Sequence, residues 1–247
     1  MKKIQKLTRA QLTDQVMKVS EVLYTAIEPE LEFMFNNEDD PDEDSFSEFL
    51  DMLDQETAEK IKEAAFNRDS DDDEPEIMLM ENESTTSLDV VTEQGDGYIV
   101  ILIENDINLT GNLFIEDYVK LIVTGDIKAK NIIVNGSLYC SGNIFCTVLF
   151  SASGNDHQTY STGNMYTSLI AENGQYTVSE SKIYSRYLMS FHNTIKGKSG
   201  RFVENTALEN GNEASVLNPE ILDESGFFDE DAFLNYINIH QPESLFI

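Results

Sequence analysis

The strongest constraint on the fold is a short phrase that recurs at a nearly constant interval. The stretch "GDIKAKNIIVNGSLYCSGNI" (residues 125–144) begins with Gly-Asp-Ile and ends with Gly-Asn-Ile. Related pairs lie along the chain at Asp106-Ile107, Asp126-Ile127, Asn143-Ile144, Asn164-Met165 and Lys182-Ile183, and their apolar members are 20, 17, 21 and 18 residues apart. Repetition at about this period is typical of stacked coils.

The residues after each pair predict which side chains point inward. Two positions after each apolar member stand Leu109, Ala129, Cys146, Thr167 and Ser185, an offset that places both residues on one face of a strand. A third apolar patch follows in each copy: Leu113 and Ile115, Ile132 and Val134, Val148 and Phe150, Leu169 and Ala171, Tyr187 and Met189. Glycines between these patches mark sharp corners. We therefore expect three inward columns.

These patterns predict a mainly β protein with a helical flank. Its centre is a short single-stranded parallel β-helix of about five coils, in which stacking makes a continuous core. We expect an acidic α-helical segment at residues 1–76, the β-helix at 77–205 and an acidic C-terminal cap with a short helix at 206–247. The alternative is an ordinary antiparallel β-sandwich with chance internal similarity.

Helical patterns lie on both sides of the repeat. Val16, Ser20, Leu23, Ile27 and Leu31 recur every three or four residues, an amphipathic stripe, and Pro29 favours a break or a new helix start near Glu28. Ser45 and Glu48 have the spacing of a capping box. Near the C-terminus, Asp229 is placed to cap a short helix whose inner face carries Phe233, Tyr236 and Ile237.

The net charge of −30 is concentrated in the segments beside the repeat. Residues 28–83 hold 23 acidic and three basic residues, whereas residues 98–200 hold eight acidic and seven basic residues. A general adaptation for solubility or salt would not leave the centre neutral, so this distribution favours a basic protein partner over the solubility interpretation. Direct binding of nucleic acid or of an anionic membrane is not expected, because both require clustered bases.

The sequence lacks the usual signals for secretion, for a membrane span and for a metal or catalytic site. It has no signal-peptide core and no run of about 18 apolar residues. Cys140 and Cys146 make no disulfide framework, so we expect a cytoplasmic protein. His157, His192 and His240 have no metal-ligand spacing, and the Asp/Asn corner residues are interpreted as turn formers rather than catalysts. We expect no enzyme activity, no cofactor and no bound metal.

The stretch "VTGDIKAKNIIVNGSLYCSGNI" makes residues 98–200 resemble bactofilin-like, polymer-forming β-helix repeats. The resemblance implies a parallel β-helix that assembles through its ends. This chain departs from that family by its large acidic flanks, which bactofilins lack. The tail "VLNPEILDESGFFDEDAFLNYINIHQPESLFI" (residues 216–247) is similar to the ends of β-helix proteins from bacterial toxin–immunity neighbourhoods.

These features lead to one main functional hypothesis and two alternatives. The main hypothesis is an immunity-type inhibitor that neutralises a basic bacterial toxin, for example a nuclease, through acidic surfaces. The expected partner-binding residues are Glu38, Asp39, Asp40, Asp42, Glu43, Asp44, Phe46, Glu48, Phe49 and Asp51. The alternatives are a structural scaffold that self-associates through its β-helix ends and a carbohydrate-active β-helix enzyme.

Overall fold

A computed structural model describes residues 4–35, 47, 50–53, 55–66, 75–81, 84–92, 97–153, 157–208 and 211–247. Its centre is a parallel β-solenoid of about six turns, which confirms the mainly β fold class and adds a turn to the expected five. The chain divides into a solenoid unit, residues 1–27 with 76–247, and an acidic unit, residues 28–75. The domain limits expected from the sequence remain predictions.

The first face of the solenoid is an eight-stranded sheet. Its strands in spatial order are β1 (Ile4–Lys6), β2 (Glu76–Met80), β4 (Ile99–Ile103), β7 (Val119–Val123), β10 (Ser137–Cys140), β12 (Gln158–Ser161), β14 (Tyr176–Ser179) and β16 (Ile195–Gly197). Every neighbouring pair is parallel except β1 and β2, which are antiparallel. The N-terminal strand therefore covers an edge that the first coil would otherwise leave open.

The second and third faces share their longer strands. The order is β3 (Leu88–Val90), β6 (Leu113–Ile115), β9 (Asn131–Val134), β11 (Ile144–Ala152), β13 (Met165–Asn173), β15 (Ile183–Ser190) and β17 (Arg201–Val203). The short strands β5 (Ile107–Asn108) and β8 (Ile127–Lys128) stack below the start of β11. The starts of β11, β13 and β15 thus form the second face with β5, β8 and β17, and their ends form the third face.

The first predicted inward column is confirmed. Ile107, Ile127, Ile144, Met165 and Ile183 are successive Cα partners in parallel register, and all five are fully buried. The second predicted column, which runs from Leu109 to Ser185, lies next to the first. Two of its members, Cys146 and Thr167, are only partly buried. Thr167 there donates a hydrogen bond through Oγ1 to Ser185 Oγ at 2.8 Å, so the polar members of this column satisfy each other.

The third predicted column is wrong from the fourth coil onward. Ile132 pairs with Leu149 rather than with Val148, and Val134 pairs with Ser151. The interior column is therefore Leu113, Ile132, Leu149, Ile170 and Leu188. A one-residue shift moves every side chain to the opposite side of a strand, so Val148, Phe150, Leu169, Ala171, Tyr187 and Met189 lie on the outer side.

The C-terminal segment covers this outer side of the third face. It contains α4 (Glu213–Val216), a 3₁₀ turn at Pro219–Ile221, α5 (Glu230–Ile239) and a second 3₁₀ turn at Pro242–Leu245. Asp229 caps α5 by accepting the Ala232 N–H at 2.9 Å, as predicted. Phe233, Tyr236 and Ile237 are buried, and Phe233 packs on Phe150 with ring centroids 4.9 Å apart. The cap therefore lies against the side of the solenoid.

Helices α1 (Arg9–Val19) and α2 (Glu21–Phe35) carry the predicted N-terminal stripe, in which Val16, Leu23, Ile27 and Leu31 are buried. The expected break at Pro29 is wrong, because α2 continues through it. Proline removes one backbone hydrogen-bond donor from the helix. Burial of the apolar stripe on both sides of Pro29 offsets this loss.

Helix α3 (Gln55–Phe66) lies in the acidic unit. No helix within the described ranges is long and apolar enough to cross a membrane.

We expect Ile144→Ala to lower the free energy of unfolding by about 2–5 kcal/mol, because it truncates a fully buried side chain between two coils. Ile239 is 80% exposed, so Ile239→Ala is the matched control and should change stability by less than about 0.5 kcal/mol. Chemical denaturation of both variants measures the difference. Similar losses in the two variants would contradict the assigned register.

Candidate functional site

The recurring Asp or Asn residues form a ladder of hydrogen bonds along one corner of the solenoid. The Oδ1 atom of Asp106 accepts the Asp126 N–H at 2.8 Å, and Asp126 Oδ1 accepts the Asn143 N–H at 2.7 Å. Asn143 Oδ1 then accepts the Asn164 N–H at 3.0 Å, and Asn164 Oδ1 accepts the Lys182 N–H at 3.2 Å. Each side chain thus fastens its coil to the next. The repeated phrase therefore supplies the hydrogen bonds that hold neighbouring coils together.

The glycine of the phrase is required by the same ladder. A Cβ atom at Gly125 would clash with Asp106 Oδ1, and one at Gly142 would clash with Asp126 Oδ1. At Gly163 it would lie 2.5 Å from the Gly142 carbonyl oxygen. The absence of a side chain therefore lets the backbone of one coil approach the acceptor of the coil before it.

Asp126→Asn should retain the ladder, because the amide keeps one oxygen acceptor, whereas Asp126→Ala leaves the Asn143 N–H without its acceptor. We expect the alanine variant to lose about 1–3 kcal/mol of unfolding free energy and the asparagine variant clearly less. Urea titration of the two variants measures both values. Equal losses would mean that the hydrogen bond to the next coil is not the role of this carboxylate.

Of the predicted partner-binding residues, only Asp51 lies within the described part of the chain. It is exposed in a short helical stretch. The other nine, Glu38, Asp39, Asp40, Asp42, Glu43, Asp44, Phe46, Glu48 and Phe49, lie outside the described residues, and their role stays a prediction. The capping box expected from Ser45 and Glu48 lies outside them as well.

The acidic unit exposes two large apolar side chains that the sequence analysis did not single out. Met52, next to Asp51, is 84% exposed, and Phe33, next to the exposed Glu32 in α2, is 65% exposed. Neither residue belongs to the predicted apolar stripe, and the periodicity of that stripe says nothing about the exposure of apolar residues outside it. The unit therefore combines many carboxylates with two exposed apolar side chains.

A second constellation, on the first face, brings together groups used in acid–base chemistry. Lys120 Nζ lies 3.1 Å from Ser137 Oγ and 3.3 Å from His157 Nδ1, and the same Nδ1 lies 3.1 Å from Ser137 Oγ. His157 Nε2 faces Asp117 Oδ1 at 3.4 Å. In the tautomer that carries its proton on Nε2, Nδ1 is placed to accept a hydrogen bond from Lys120 or Ser137.

This Lys120–Ser137–His157–Asp117 cluster has a base within reach of a hydroxyl, which is the geometry of an activated nucleophile. Ser137 and His157 are nevertheless buried, with 0% and 1% of their surfaces exposed. A substrate cannot reach Ser137 Oγ in this arrangement. Next to Asp117, Tyr118 adopts a φ of 66°, a strained value for a residue with a side chain. The cluster joins residues from three coils, so no local motif in the sequence could have revealed it.

Neither cysteine has the properties of a reactive thiol. The pKa of the Cys140 thiol is raised to about 12, mainly by burial; a backbone hydrogen bond from Gly142 lowers it, and the nearby carboxylates of Asp126 and Asp106 raise it. Burial also raises the pKa of Cys146. At neutral pH both therefore remain thiols rather than nucleophilic thiolates. Among the described residues, no group of three or more His, Cys, Asp or Glu side chains is arranged to hold a metal ion.

Comparison with known proteins adds no family assignment. No protein-family model matches the chain, and no curated protein or solved structure matches it significantly. The bactofilin-like and toxin–immunity resemblances therefore rest on the residues of the repeat and of the tail alone.

Proposed function

We propose that this chain is a non-enzymatic binding protein, an immunity-type inhibitor that neutralises a basic bacterial toxin through the acidic unit. The observation that carries the proposal is the exposure of Phe33 and Met52 in a unit rich in carboxylates. Exposed ion pairs contribute only about 0–1 kcal/mol each. An inhibitor therefore needs apolar anchors beside its charges, and these two side chains supply them.

The charge of the acidic unit determines the sign of the charge that the proposed partner must carry. Residues 28–75 hold 20 acidic and three basic residues, so their mutual repulsion is relieved when a cationic surface docks. Complementary fields speed association and make it sensitive to salt, since screening acts over about 8 Å at physiological ionic strength. A basic toxin, such as a nuclease, has the complementary charge.

The buried state of the reactive groups supports a binding role rather than catalysis. Ser137 has no exposed surface, and the pKa values of both thiols are raised by burial. The Asp and Asn side chains of the corner ladder already accept backbone N–H groups. The burial and the existing hydrogen bonds of these groups favour a binding role.

The test measures binding to basic proteins encoded beside this gene. A variant with Asp39, Asp40, Asp42 and Asp44 all changed to Asn should associate much more slowly at low salt. Phe33→Ala should instead speed dissociation and weaken affinity about tenfold or more. Surface plasmon resonance at several ionic strengths separates the two effects.

Two matched variants serve as controls. One neutralises four exposed carboxylates elsewhere, Glu104, Glu220, Glu224 and Asp231. The other is Phe227→Ala, at a 64% exposed aromatic outside the acidic unit. Both controls should bind as the wild type does. If the control neutralisation slows association as much as the first variant, the carboxylates of residues 39–44 form only a solvated surface.

A second candidate function is a scaffold that assembles through solenoid ends. Strands β16 and β17 of the last coil each pair on one side only within the described chain, and Phe202 in β17 is 58% exposed. Unpaired strand edges are templates for pairing with another copy. Light scattering over a concentration series distinguishes the two functions, because a scaffold grows in mass whereas an inhibitor stays small.

A further inference from the structure

The last coil of the solenoid places a charged residue at the end of an aliphatic core column. Arg201 is the Cα partner of Ile183, so it occupies the position that Ile or Met fills in each of the five coils before it. Ile183 is fully buried, whereas Arg201 is exposed. An arginine side chain can lie along an apolar surface and keep its guanidinium group in water.

The Arg201 side chain joins two faces of this coil. Arg201 belongs to β17 of the second face, and its Nη1 atom donates a hydrogen bond to the carbonyl oxygen of Ile195 in β16 of the first face, at 3.1 Å. Ile195 is only 3% exposed and belongs to the core. The guanidinium group therefore reaches across the open end of the core from one sheet to the other.

A second carbonyl of β16 is also occupied from within the coil. The Gly197 carbonyl oxygen accepts the Gly200 N–H at 3.0 Å, in a turn where Gly200 has a φ of 99° that favours glycine. Lys198, next in the chain after Gly197, donates its N–H to Ser179 of the coil before. Alternate residues of a strand direct their backbone groups to opposite neighbours. Ile195 and Gly197 therefore direct their carbonyls to the open end, and both carbonyls are already bonded.

Charge also opposes contact between the ends of two chains. Residues 181–203 hold five basic residues and no acidic residue, in a chain whose net charge is −30. Two chains that met through their last coils would bring these like charges together. At the other end of the first face, β1 already covers the edge of β2. Stacking through the first face is thus opposed at both ends of the solenoid.

We propose that the last coil is a built-in end cap that keeps two chains from stacking end to end, and that Arg201 is the residue on which this cap depends. A strand from a second copy would displace the guanidinium group from the Ile195 carbonyl. It would also cover the guanidinium group with apolar side chains, and burial of an unpaired charge is unfavourable. An inward-pointing charged residue is one of the ways in which proteins protect a strand edge. The inference does not rest on the proposed inhibitor function, and it opposes the scaffold alternative.

Sedimentation velocity of the full chain over a concentration series tests the cap. The wild type should keep the mass of one chain, 27.9 kDa. Arg201→Ile extends the aliphatic column to the open end and removes the donor to the Ile195 carbonyl. The weight-average mass of this variant should rise about twofold or more, because an apolar strand edge without its charge pairs with another copy. Arg201→Lys keeps a charge on a long stem and should remain a monomer.

The matched control is Lys128→Ile, which removes one positive charge and adds an isoleucine at an exposed position on the outward side of the second face. It should remain a monomer. Thermal unfolding identifies a variant that has lost the fold, and Arg201→Ala takes the place of Arg201→Ile if the latter does not fold. The proposal is overturned if the wild type gains mass with concentration, because its end is then an assembly surface. It is also overturned if the folded Ile or Ala variant stays monomeric, or if Lys128→Ile associates to the same extent.

Discussion

The hydrogen bond that each corner Asp or Asn accepts from a backbone N–H of the next coil is the interaction on which the rest of the solenoid depends. It fixes where one coil begins relative to the next, and Ile107, Ile127, Ile144, Met165 and Ile183 then stack as one column. A slip of one residue would turn the core side chains outward. The short polar side chain and the glycine before it therefore specify register, and the aliphatic residue after it supplies the buried area.

Register also decides what the outer surfaces can do. Because side chains alternate along β11, the residues beside the core column of the third face form an outer apolar strip, which the Phe233 side of α5 covers. On the second face the same alternation leaves Phe145, Tyr166 and Tyr184 stacked and accessible. The coil geometry thus produces one outer surface that the C-terminal segment covers and another whose stacked rings remain partly exposed.

The sequence predicts the parts of this fold that depend on local periodicity. The Ile107-to-Ile183 column, the Asp229 cap and the buried face of α5 all follow from spacing and residue type. Strict alternation from Ile144 places Val148 in the core, but the bend between the second and third faces shifts the alternation by one residue, so Leu149 points inward instead. The Lys120–Ser137–His157–Asp117 cluster and the exposure of Phe33 depend on tertiary packing. They were inaccessible to pattern analysis for that reason.

The central claim is that residues one repeat apart are neighbours in parallel register, and disulfide trapping tests it most directly. In a background with Cys140→Ala and Cys146→Ala, the pair Lys128→Cys with Phe145→Cys joins positions that are Cα partners in adjacent coils. Mild oxidation should cross-link this pair readily, since adjacent strands lie about 4.8 Å apart. The pair Lys128→Cys with Tyr166→Cys spans two coils and should not cross-link, because a disulfide cannot bridge Cα atoms more than about 7 Å apart. Equal cross-linking of the two pairs, or cross-linking of the second alone, would contradict the stacked-coil account.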